Sequence, residues 1–84
     1  MSDLVARFKE WLPNTSPKDR ADALKVIEQQ IEMTMGNIQD VAKHIDGTTP
    51  KYAQAWGSLI EKRRQDIQEL EEVKGMLKAA GISN

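Results

Sequence analysis

Ile45-Asp46-Gly47-Thr48-Thr49-Pro50-Lys51, or IDGTTPK, separates two long amphipathic patterns and decides how they meet. Gly47 suits the left-handed position that commonly ends a helix. Thr48, Thr49 and Pro50 carry the cap-then-proline pattern that starts the next one. Long helices joined by about three residues can only lie side by side and antiparallel.

Upstream, Leu24, Ile31, Ile38 and Ile45 stand seven apart, with Ile27 and Val41 at the intermediate positions of a heptad seam. Ser16 reads as the cap of that helix, Pro17 as its first residue, and Asp19 as negative charge in its first turn, so the helix covers 17–46. Downstream, Tyr52, Trp56, Leu59, Ile60, Ile67, Leu70, Val73 and Leu77 mark the apolar side of a second helix over 50–80. Gly81 and Ile82 close it as a Schellman motif, with Ile82 folding back onto Leu77. Near the N-terminus, Leu4, Val5, Phe8, Trp11 and Leu12 predict a short helix over 3–12, capped by Ser2 or Asp3 and stopped by Pro13.

The fold class is therefore all-α: one domain over 1–84, a long antiparallel two-helix hairpin with a short N-terminal helix as lid. Facing residues on the hairpin have numbers summing to about 97. Val41 then meets Trp56, Ile31 meets Ile67 and Leu24 meets Val73. The lid brings Phe8 and Trp11 towards Leu24 and Leu77. Arg63 falls on the seam opposite Thr34 and Met35, where a polar layer fixes register at some cost in stability. Gly36 and Gly57 lie inside helices; they are either a tolerated cost of about 1 kcal/mol each or places where another group approaches closely.

Composition narrows the function classes. The 84 residues include no cysteine, which excludes a disulfide framework and a thiolate zinc site. The start, Met1-Ser2-Asp3-Leu4-Val5-Ala6-Arg7, lacks the basic-then-apolar pattern of a signal peptide. No apolar run approaches the ~20 residues of a membrane span. The expectation is a soluble, cytoplasmic chain without membrane contact. Twelve basic against thirteen acidic side chains leave a net charge of −1, so bulk charge will not draw it to nucleic acid or anionic lipid.

Chemistry is poorly provided for. His44 is the single histidine and follows Asp40 by four, a spacing that suits a weak surface pair as well as a base. Val41 occupies the position where a Glu-x-x-His metal motif needs its carboxylate. Neither a glycine-rich phosphate loop nor a serine with a histidine–carboxylate pattern occurs. No enzyme activity, catalytic residue, metal or cofactor is expected.

Lys62-Arg63-Arg64 is the densest basic run, and Asp66 and Glu61 stand within a turn of Lys62 and Arg64 to neutralise it. A solvated, internally paired face is the favoured reading. Lys43, Lys51, Lys62 and Arg64 would carry the alternative, a small nucleic-acid-associated regulator using the turn end.

The leading expectation is a protein-interaction module: a small adaptor, inhibitor or assembly factor that docks a helical surface on a larger protein or on itself. A two-helix hairpin cannot enclose both sides of its helices, and Val26, Met33 and Met76 lie off the seam. Trp11, Met33, Tyr52 and Trp56 are the candidate contact residues, since tryptophan and methionine are enriched in association surfaces. A protein partner is expected, with an antiparallel homodimer forming a four-helix bundle as its simplest form, because a chain this short often completes its core by association.

Overall fold

The computed structural model describes residues 3–45 and 50–82, the side chains of Pro50 and Lys51 apart. Ser2 and the turn residues 46–49, which include Gly47, Thr48 and Thr49, lie outside the described residues. Helix α1 spans Asp3–Trp11, a single 3-10 turn spans Leu12–Asn14, α2 spans Pro17–Ile45 and α3 spans Pro50–Ala80. No strand occurs among the described residues. The all-α hairpin with a short N-terminal helix is what the chain forms, and α2 packs against α3 along its length.

Local chemistry accounts for the helix ends. Pro13 has no N–H to continue α1, so the chain tightens into the 3-10 turn, and Thr15 closes it by donating both its N–H and its hydroxyl to the Leu12 carbonyl. Ser16 and Asp19 then form a reciprocal capping box. The Asp19 N–H donates to Ser16 Oγ at 3.1 Å, and the Ser16 N–H donates to Asp19 Oδ2 at 3.1 Å. Two backbone donors that the first turn would leave unpaired are thereby satisfied. At the far end Gly81 adopts φ +100°, the left-handed region, and its N–H donates to the Lys78 carbonyl at 3.2 Å. That matches the inner bond of a Schellman ending, while the outer bond from the Ile82 N–H to the Leu77 carbonyl does not form among the described residues.

The core is concentrated at the open end of the hairpin. Val5, Ile27, Ile31, Val73 and Leu77 are buried together, with Leu4, Phe8, Leu12, Leu24, Ile67, Leu70 and Met76 packed around them. Val41 is the one further buried hydrophobic residue among those described, and it stands apart in the turn half. A uniform seam is thus not what forms: Leu24, Ile38 and Ile45 are only half-buried, as are Leu59, Ile60 and Ile67. The reason is geometric. Two helices touch along one line, so most seam residues keep one side open where no third element covers them; α1 covers only the open end, and Val41 is the exception in the turn half.

One local expectation is corrected, and one left open is decided within the chain. Asp66 pairs with Arg63, whose Nη1 lies 3.5 Å from Asp66 Oδ2, and not with Lys62. A spacing of three on a helix serves an arginine at the seam's edge as well as a spacing of four serves a lysine outside it. A Cβ added at Gly36 or Gly57 would meet nothing within 4 Å, so neither glycine admits a close neighbour within this chain. Within the chain their cost is simply tolerated.

Candidate interaction surface

The proposed contact residues do not converge on one site. Trp11 closes α1 with its ring edge against Phe8, at a centroid distance of 5.5 Å and an interplanar angle of 78°. It reaches the rim of the core and not its centre: Arg7, Phe8, Trp11 and Ala23 line an apolar cleft there, and Trp11 stays 39% exposed. The expected approach to Leu24 and Leu77 is made by Phe8, which packs on the buried cluster.

Met33 stands midway along α2, where Gln30, Met33, Thr34, Asn37 and Arg63 line an open groove between the two long helices. Arg63 is the seam residue that heptad spacing places there; its Nε is shielded and without a hydrogen-bond partner, while half of its guanidinium reaches Asp66. Thr34 donates its hydroxyl to the Gln30 carbonyl at 2.8 Å, as Ser58 does to Gln54 at 3.2 Å, the usual arrangement of a hydroxyl inside a helix. Ser58 is thus occupied with backbone.

Near the turn, Trp56 is half-buried and stacks on His44 with ring centroids 5.8 Å apart and planes 21° off parallel. Tyr52, one turn earlier on α3, is 58% exposed. Heptad spacing places Trp56 beside Val41 but does not mark His44 as its partner, because His44 lies off the seam. Its position one turn beyond Asp40 suits a weak pair with that carboxylate, and the facing helix supplies an aromatic ring.

Lys43, Lys62 and Arg64 are exposed, and the Lys51 side chain lies outside the described residues. Among the described residues the ion pair of this region is Arg63–Asp66, so the neutralising partners expected for Lys62 and Arg64 are not engaged. No group of three or more metal-ligating side chains comes together among the described residues. No helix is long and apolar enough to cross a membrane among the described residues.

What the molecule offers is therefore surface. Met33 and Arg63 border an open groove between the two long helices. The outward side of α2 presents Val26 and Met33 to solvent. No protein-family model, no curated protein and no solved structure matches the chain.

Proposed function

We propose that this chain is a non-enzymatic protein-interaction module, a small adaptor, inhibitor or assembly factor that docks a helical surface on itself or on a larger protein. One observation carries the reading: Val26, Met33 and Tyr52 stay 55%, 67% and 58% exposed while the buried core holds few residues. Single exposed apolar side chains are ordinary, but several large ones on both long helices of a hairpin with a short lid support association.

The variant Met33→Ala/Tyr52→Ala tests it cleanly, because both side chains are mostly outside the fold. Helical circular dichroism and melting temperature should hold, while self-association in sedimentation or co-purification of a protein from the native host should weaken at least several-fold. Unchanged association in both measurements would remove the reading. Trp56→Ala is the less clean probe, since Trp56 is half-buried against His44.

A second reading has its own observation. With Asp66 taken by Arg63, the exposed Lys62 and Arg64 are less neutralised than their neighbours in sequence imply. Together with Lys43 and Lys51 they would make a turn-end contact to nucleic-acid phosphates. Such binding must fall steeply with salt; a fluorescence titration showing none at low salt ends it.

A further inference from the structure

We infer that the partner is a second copy of this chain, docked antiparallel along the outward face of α2 with Met33 at the two-fold axis. The inference rests on the docking-module reading and supplies its occupant. Two features of α2 carry it, one apolar and one electrostatic.

The apolar feature is a short stripe. Val26 and Met33 stand seven apart on the outward side of α2, with exposed Gln29 between them, and Gly36 follows with open space where a Cβ would be. Met35 points elsewhere, since a step of two residues turns a helix by about 200°. A helix laid along the stripe covers the two largest outward apolar side chains of this face and approaches closely at Gly36.

The charges beside that stripe choose the occupant. Asp22-Ala23-Leu24-Lys25 is repeated in charge as Asp40-Val41-Ala42-Lys43, eighteen residues on. Eighteen residues are about five full turns, so the second acid and base point the way the first pair does. All four charged residues are exposed. Reverse a second copy against the first, with facing numbers summing to about 65, and unlike charges align. Asp22 then stands level with Lys43 of the second copy, and Lys25 with its Asp40, each pair occurring twice by symmetry. In a parallel, in-register pair the same positions would set acid on acid and base on base. Glu28 and Glu32 share one groove with Lys25, Gln29 and Lys74 of α3, so that groove holds two acids and two bases. A seam of one helix per copy buries little area, so the association is reversible and concentration-dependent.

Sedimentation of the full chain tests this with a charge swap. Asp22→Lys and Lys43→Asp, each at an exposed position, should weaken dimerisation about tenfold, since each reverses two pairs per dimer. The double variant D22K/K43D should return to within about twofold of wild type. Those residues lie roughly 31 Å apart along one helix, so compensation can only arise between chains. The absence of cysteine supplies a second readout. Met33→Cys should oxidise readily to a disulfide dimer, whereas Val26→Cys should not, being roughly 20 Å from its own copy in this register. A dimer indifferent to the single charge reversals, or one that Val26→Cys links as fast as Met33→Cys, overturns the inference while leaving self-docking intact. A chain that sediments as a monomer at every concentration also overturns it; docking on another protein is then judged by co-purification with the Met33→Ala/Tyr52→Ala variant.

Discussion

Arg20 ties three parts of the chain to one guanidinium. Its Nε donates to the Gly81 carbonyl at 2.6 Å, and its Nη1 donates to the Thr15 carbonyl at 2.8 Å and the Thr15 hydroxyl at 3.1 Å. The start of α2, the linker before it and the end of α3 are held together at a half-buried position. Gly81 contributes because its left-handed backbone turns that carbonyl out of the helix direction. Hydrogen bonds to a charged group contribute more than neutral ones, so Arg20→Ala should cost about 2 kcal/mol and lower the melting temperature by about 10 °C. Arg20→Lys should recover little, since an ammonium cannot reproduce the fork that serves both sides. Thermal denaturation followed by circular dichroism checks both, and an unchanged midpoint for Arg20→Ala would refute the assignment. The sequence marks Ser16, Asp19 and Gly81 through local patterns that need no knowledge of the fold. It cannot mark Arg20 in that way, because its partner lies 61 residues away and an arginine in a first turn looks like any solvated one.

Among the elements, α1 decides where the hairpin is strong. Heptad spacing identifies the residues that face the opposite helix, and Ile31, Val73 and Leu77 do lie there. Spacing alone does not tell which of them lose all contact with water, because that depends on a third element arriving from elsewhere in the sequence. Ile27 is buried at the open end, beneath the lid, whereas Ile38 and Leu59 on the uncovered stretch keep an open side. Truncation costs should follow that gradient. Leu77→Ala, at 0% exposure, should destabilise by about 3 kcal/mol or more, in the range for a buried leucine. Leu59→Ala should cost roughly half as much or less, since part of its surface is already hydrated. Urea denaturation of the two variants measures the difference. Equal losses would mean that the turn half is as well enclosed as the open end. The candidate surface was legible to a similar degree: Met33 and Tyr52 are exposed and Trp56 is on the seam, but their spread along the rod, and the His44 stack, arise from how two helices register.

At the scale of the whole molecule the chain is a slender rod, 50 × 26 × 13 Å along its principal axes, with a radius of gyration of 16.0 Å. Its acids and bases nearly cancel, leaving a charge of −1 and little general repulsion between copies. Such a rod gains most from lateral association, where apolar surface along its length is covered, and little from meeting end to end. The charge repeat on α2 selects the antiparallel form of that lateral pairing, and Met33 lies near the middle of α2, so the two rods overlap almost completely. Small-angle X-ray scattering over a concentration series tests this most directly. Forward scattering per unit mass should double with concentration while the longest dimension stays close to the 50 Å of one rod. Forward scattering that never rises, or a rise accompanied by near-doubling of the longest dimension, would contradict it.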